Sequence, residues 1–447
     1  MVQSRGDWDD LGPYELGIDL GTSSCVAAIS RGGVCRVATL GTSVPEIPST
    51  VFISEDGRIL VGEEAEALAV TDQSRAVRGF KSMIGRSGQV TVGGETYHAE
   101  KLAAELIGGV VDKVSSTQNG LPERIAITCP GGWSQSRVDR LHQACWTAGF
   151  GDVVVISEPE AAAIRVDDLN RLVVGSNIAV FYLGDGDFSA TIFNRTSTGF
   201  RLVGEPQTVE GLGVTINEGT IGFILALLGD RVERIDPDDP EVIAAVARLG
   251  RALTDAKRKL SVDEGAALPV TIPSSRTTLW LTRSRFEQIL AAHVDVAFDA
   301  MRRAVDSAML AFDQIDLIVL AGENTQSPYL KDRVKADFRC AVGVEGSPGF
   351  TCALGAARAA GAMPAGQSFE LSPPTGANDT PAATSVSPEP PRPRSRLSRS
   401  AKGKLSIVIL VVLLAEIGLL IGLLIENTAE QQPEPISRVL TSPLDDQ

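Results

Sequence analysis

Tyr14-Glu15-Leu16-Gly17-Ile18-Asp19-Leu20-Gly21-Thr22-Ser23-Ser24-Cys25-Val26-Ala27-Ala28-Ile29-Ser30 is the stretch that decides the fold. It reads as an apolar strand over Tyr14–Leu20, a tight turn over Gly21-Thr22-Ser23-Ser24, and a second strand over Cys25–Ser30. The same pattern returns about 165 residues later, as Ile178–Leu183, Gly184-Asp185-Gly186-Asp187 and Phe188–Asn194. Two strand–turn–strand units at that spacing point to a duplicated, two-lobed domain. Glycine lets a backbone bend sharply and lets its N–H groups approach a phosphate with no Cβ in the way. Two such turns in equivalent places could close on a nucleotide from both sides.

Around these units, short strand patterns alternate with helical ones, the mark of an α/β fold. Thr50–Gly62 reads as a hairpin with Asp56-Gly57 at its turn. Helices are expected over Ser134–Ala148, Pro240–Leu260 and Ser284–Phe312, the last opening on a Ser284-x-x-Glu287 capping box. Of 447 residues, 43% are hydrophobic and 22% charged, ordinary values for a folded chain. A formal charge of −15 lacks the basic face of a nucleic-acid binder, so no nucleic-acid partner is expected. Six scattered cysteines without C-x-x-C spacing suit reduced thiols better than disulfides or zinc. The three histidines lie far apart and suggest no metal cluster, and the first ten residues carry no apolar run of a signal peptide.

Several ordered motifs over Tyr14–Gly361 resemble the nucleotide-binding domain of the heat-shock 70-kDa (Hsp70) chaperone family, within the actin-like ATPase superfamily. Gly17–Ser23 resembles the first phosphate loop, and Pro48–Val51 and Phe80–Arg86 resemble stretches typical of the chaperones rather than actin. Ser157–Ala163 resembles the segment connecting the lobes, Ala256–Ser261 the adenosine-contacting helix, Ile315–Pro328 the adenosine loop and Leu354–Gly361 the closing helix. The resemblance implies a duplicated ribonuclease-H-like fold over residues 14–361, holding ATP or ADP with Mg²⁺ between its lobes. It implies that Gly21, Thr22 and Ser23, with Gly184 and Gly186 opposite, cradle the phosphates. Asp19 would hold water around the metal, Lys81 would orient the attacking water, and Glu158 would touch the metal's hydration shell. Lys257, Arg258, Ser261 and Gly322 would line the adenosine pocket.

The family pattern breaks at the second phosphate loop. Both of its aspartates are replaced, by Tyr182 and Ser189, and two new carboxylates, Asp185 and Asp187, enter the turn. A carboxylate about 4 Å from a phosphate charge costs on the order of 4 kcal/mol at an effective dielectric of 20. That favours impaired phosphate binding, unless a metal relocated to Asp19, Asp185 and Asp187 reverses the sign. Gln326 stands for an arginine that stacks on adenine, Thr254 for a ribose-contacting glutamate, and Gly349 for a closing-loop aspartate. Arg137 falls one position before the family's arginine.

Residues 362–404 are rich in Pro, Ser, Thr and Ala, the composition of an extended, disordered linker. The linker ends in Arg392, Arg394, Arg396, Arg399, Lys402 and Lys404. Leu405–Ile425 then supplies an apolar run that, at about 1.5 Å per residue, matches the roughly 30 Å core of a bilayer. The basic flank places the N-terminal domain in the cytoplasm, and the acidic tail, 426–447, outside. Gly418 and Gly422 would let this helix approach a membrane protein or a second copy. Glu416, costing roughly 2.5–3.5 kcal/mol or more if ionised mid-membrane, points to the same contact. Linker and membrane helix stand where a chaperone of the family carries its peptide-binding domain. The expected function is a membrane-tethered, chaperone-like nucleotide binder with slow or absent hydrolysis. A pseudo-ATPase scaffold or sensor is the alternative, and an actin-like filament former fits the chaperone-type motifs least.

Overall fold

In the computed structural model, β1 (Glu15–Leu20) is buried from Leu16 onward and β2 (Ser24–Arg31) from Cys25. Unbroken burial of this kind belongs to strands covered on both faces. The structure describes residues 12–362, apart from 43, 87, 152, 171, 230–238, 273–274 and 344–346. With β3 (Val34–Val37), β4 (Arg124–Cys129) and β5 (Val153–Ser157), the first sheet runs β5-β4-β1-β2-β3. β1 is antiparallel to β2 and parallel to β4, which is parallel to β5.

The second sheet repeats this plan. Its strands are β6 (Asn177–Leu183), β7 (Phe188–Arg195), β8 (Phe200–Val209), β9 (Leu317–Ala321) and β10 (Val342–Gly343), in the order β10-β9-β6-β7-β8. β6 is antiparallel to β7 and parallel to β9, which is parallel to β10. Apart from the two-residue strand Ile47–Pro48, which also pairs with β2, each strand of the first sheet thus has a counterpart five places on, with the same neighbours and directions. This is the duplication that the two strand–turn–strand units predict.

The helices repeat as well. In the first lobe, α1 (Ala99–Gln118) precedes β4, α2 (Gln135–Thr147) joins β4 to β5, and α3 (Glu158–Asn170) follows β5. The second lobe carries α4 (Leu212–Ala226), α5 (Pro240–Leu260), α6 (Arg283–His293) and α7 (Asp295–Ser307) before β9. α8 (Pro328–Phe338) joins β9 to β10, and α9 (Thr351–Ala362) follows β10. α5 begins as the sequence dictates, with Asp239 accepting from the Glu241 N–H and Pro240 in the first turn. The Val51–Ile53 and Ile59–Val61 strands pair antiparallel around Asp56-Gly57, as expected.

Two expectations fail locally. The single helix over Ser284–Phe312 is two, broken at the buried Val294, and the turn aims Phe298, Met301 and Val305 of α7 at β7 and β8. The capping box at Ser284 and Glu287 does not form. Thr282 is the cap, accepting from the Arg285 N–H, while Glu287 accepts from Ser327 Oγ and the Tyr329 N–H at the start of α8. Donors at the bare start of α8 outcompete the local N–H for the Glu287 carboxylate. The linker, membrane helix and acidic tail expected beyond Ala362 lie outside the described residues. Among the described residues, no helix is long and apolar enough to cross a membrane.

α9 closes the core by packing on both α3 and β1. A Cβ at Gly355 would overlap the Ala161 carbonyl of α3, and a Cβ at Gly17 would overlap the backbone of α9 at Ala357. Gly355→Ala therefore separates two effects. Helix propensity alone would stabilise by about 1 kcal/mol, whereas overpacking at the crossing destabilises by roughly 1–3 kcal/mol or more. A lowered chemical-denaturation midpoint is the expected result, and a raised one would refute the close crossing.

Candidate functional site

Asp19 sits near the end of β1, where the strand runs into the Gly21 turn, and its Oδ1 accepts from Thr128 Oγ1 on β4 at 2.5 Å. Lys81 lies in a short 3₁₀ turn over Phe80–Met83, entered through Gly79 at φ +67°. Its Nζ donates to Oε1 of Glu158, the first residue of α3, at 2.5 Å, and both side chains are buried. Arg137 on α2 fastens this turn from behind, donating to the Ile84 and Ser82 carbonyls while stacking on Trp133. Burial pushes the Asp19 and Glu158 carboxyls up against the pull of Lys81. Burial alone would lower Lys81, but the charges of Glu158 and Asp19 outweigh it and hold the amine above its usual range. Three residues about 60 to 140 positions apart in the chain thus form one buried acid–base group.

The two glycine turns face one another. A Cβ at Gly186 would lie 2.6 Å from Thr22 Oγ1, so bare backbone is required where the loops meet. Gly322, at φ +94°, brings the adenosine-type loop against the Leu183 carbonyl, and Asn324 donates to the Gly184 carbonyl at 2.8 Å. Tyr182 is buried and folds over Gly184, with its phenol near the Glu158 and Asp19 carboxylates. These groups enclose a cavity of about 50 Å³ whose wall includes Asp19, Lys81, Glu158, Asp185, Asp187 and Glu323.

The new carboxylates of the second loop are both engaged. Asp185 accepts from Lys257 Nζ and Asn217 Nδ2, each at 3.1 Å, and Asp187 accepts from the Gly211 N–H at 2.8 Å. Lys257 also donates to Asn217 Oδ1. Despite burial, Lys257 and the hydrogen bonds hold the Asp185 carboxyl below its usual value. Among the described residues, no three His, Cys, Asp or Glu side chains group as a metal site, and Asp19, Asp185 and Asp187 all line the small cavity. Arg258 is held by Glu46 at 2.5 Å, and Ser261 Oγ donates to the Arg258 carbonyl. Lys257, Arg258 and Ser261 line neither the small cavity nor the larger one above it.

Glu323 and Gly349 explain each other. A Cβ at 349 would overlap the Glu323 carboxylate, which Gln326 Nε2 holds at 2.5 Å. Removal from water and the nearby Asp185 push the Glu323 carboxyl up to about 7. The Glu323 carboxylate thus fills the space beside Gly349, and Gln326 donates to it. Thr128, Asn217 and Glu46 are contributors that no motif marks.

A family model described as Hsp70 protein matches residues 15–89 and 87–370. The chain belongs to the Hsp70 family. Among curated proteins, this Hsp70-family chain is similar to chaperone protein DnaK of Thermosipho melanesiensis, 26% identical over 351 residues. That alignment covers 77% of this chain and 58% of the relative, so the chain spans less than two thirds of the curated chaperone's length.

Glu160, in the same first turn as Glu158, is buried, and burial pushes its carboxyl up to about 8. An acid with a raised folded-state pKa contributes stability below its unfolded value, near 4.5, and loses it as pH rises through about 8. Glu160→Gln stays neutral throughout. Its melting temperature relative to the parent is expected to climb between pH 5 and pH 9, and a gap that is flat with pH would contradict a buried, uncompensated Glu160.

Proposed function

We propose that this Hsp70-family chain binds ATP or ADP with Mg²⁺ between its lobes, turns it over slowly or not at all, and is tethered to a membrane by residues 405–425. The single observation that carries the nucleotide reading is the buried Asp19–Lys81–Glu158 group standing directly behind the glycine turn at Gly21. The phosphate side fits an anionic ligand. Thr22 and Ser23, with Gly186 opposite, would offer backbone N–H groups where a Cβ at Gly186 would intrude, while the Gly21 and Gly184 N–H groups donate to the Asp19 and Asp187 carbonyls and shape the two turns. Mg²⁺, when bound, would neutralise phosphate charge as ATP supplies its terminal phosphoryl group. In this reading Lys81 stays charged and orients a water, Glu158 fixes the amine, and Asp19, held by Thr128, faces the metal's water shell.

Slow or absent turnover follows from the rest of the wall. Tyr182 puts a neutral phenol where the family has a carboxylate, and Asp185, Asp187 and Glu323 add negative charge beside the phosphate path. The alternative, a pseudo-ATPase scaffold or sensor, is favoured by the Asp185–Lys257 and Glu46–Arg258 pairs, which occupy both cations of the adenosine helix. The membrane tether is supported by the 21-residue apolar run and its basic flank. The basic cluster would draw anionic lipid at about 1 kcal/mol per nearby Lys or Arg. Chaperone-like action on protein clients goes no further than the family resemblance.

Calorimetry of the purified full chain in detergent, with ATP, ADP and Mg²⁺, tests binding. Heat saturating at or below millimolar nucleotide is expected, and none at that concentration would sink both nucleotide-binding readings. Phosphate release then separates enzyme from pseudo-enzyme. A slow enzyme loses about 10²-fold or more of its turnover in Lys81→Ala, whereas equal background rates in parent and variant would establish the scaffold.

A further inference from the structure

Tyr182 stands one residue before the end of β6, and its ring belongs to the apolar cluster that also holds Ile156 of β5 and Cys352 and Ala356 of α9. The phenol oxygen has a different setting. Tyr182 is only 9% exposed and lines the small cavity together with Asp19, Lys81 and Glu158. Among the described residues, no hydrogen bond reaches its Oη. A buried O–H that faces a cavity without an acceptor calls for one. We propose that Tyr182 makes the site selective for a nucleoside diphosphate: its O–H donates to the terminal phosphate of ADP, and its ring fills the place that a third phosphoryl group would need. The proposal rests on the nucleotide reading above and names which nucleotide the site retains.

Gly184 fixes where the phenol lies. It is not among the glycines at positive φ, so its backbone does not demand glycine. A Cβ there would nevertheless lie 3.0 Å from Tyr182 Oη and 3.2 Å from Cε1, closer than ordinary van der Waals contact. The Gly184 N–H donates to the Asp187 carbonyl and is not offered to a ligand. The bare Cα at 184 therefore makes room for the phenol, which lies across the second turn with the Glu158 and Asp19 carboxylates nearby.

Space and charge then act in the same direction. The cavity measures about 50 Å³, room for about four waters. One phosphoryl group fills such a space, so the phosphate chain of a ligand must end there. The Tyr182 ring cannot withdraw without opening the packed cluster that holds it. The wall sets the carboxylates of Asp19, Glu158, Asp185, Asp187 and Glu323 against the Lys81 amine. Each further phosphoryl group brings about one more negative charge towards those acids. The phenol adds none, because burial and the neighbouring Glu158 push its titration well above the usual range and leave it a neutral donor.

Calorimetric titration of the full chain in detergent, with Mg-ADP and with the Mg complex of the non-hydrolysable β,γ-imido analogue of ATP, tests this. The parent is expected to bind ADP at least about tenfold more tightly than the analogue. Tyr182→Phe keeps the ring and removes the donor, so its ADP affinity is expected to fall about tenfold, the contribution of one hydrogen bond to a charged group. An unchanged ADP affinity in this variant would overturn the role of the O–H. Tyr182→Ala opens the space, and its preference for ADP over the analogue is expected to shrink to within about threefold. A preference kept at the parent's value would overturn the role of the ring. Equal affinities of the parent for the two ligands overturn the selectivity and leave nucleotide binding standing, whereas a parent that binds neither overturns the nucleotide reading itself.

Discussion

The Ala161 carbonyl of α3 faces the bare Cα of Gly355 in α9, and the geometry of the site depends on that crossing. α3 begins with Glu158, and α9 carries Cys352 in its first turn, whose Sγ lies 3.4 Å from the Glu158 carbonyl. The same α9 lies on β1 through Gly17, two residues before Asp19. A closing helix is therefore wedged between the two elements of the first lobe that carry Asp19 and Glu158. Well-packed cores yield little to such strain, so a shift at the crossing would move Asp19 and Glu158 together.

Electrostatics around the cleft follow one theme: each cation that a phosphate would seek already has an acid of the chain. Lys81 has Glu158, Lys257 has Asp185, and Arg258 has Glu46. Buried pairs of this kind add little net stability, but breaking one leaves an uncompensated charge at a cost of about 3–5 kcal/mol. Glu323, which has taken over the room at Gly349, adds one more acid and no cation of its own.

Much of this architecture was legible in the residues. Strand–turn–strand units at Tyr14 and Ile178 reveal a duplication because alternating apolar strands and glycine turns are local signals, and the matching sheet orders bear them out. Pro240 and its Asp239 cap announce α5 for the same reason. The helix break at Val294 was not legible, since an apolar residue at a helical position carries no stop signal; its burial against the second lobe decides it. Glu287 misled because a capping box is a local pattern, and a distant helix end competed for the same carboxylate.

The sequence by itself determined the family, the two lobes and the residue types at the phosphate turns, because all of these are written in short-range order. It also determined that residues 405–425 are apolar enough to span a bilayer. Only the tertiary structure decided what the charged residues do. Asp185 and Asp187 look like obstacles to phosphate in the chain, yet folding turns the first to Lys257 and the second to the Gly211 N–H. Glu46 carries no motif, and its role comes from the ion pair it makes with Arg258, 212 residues on. A side chain's electrostatic role depends on its neighbours in space, and those are fixed only when the lobes close on each other.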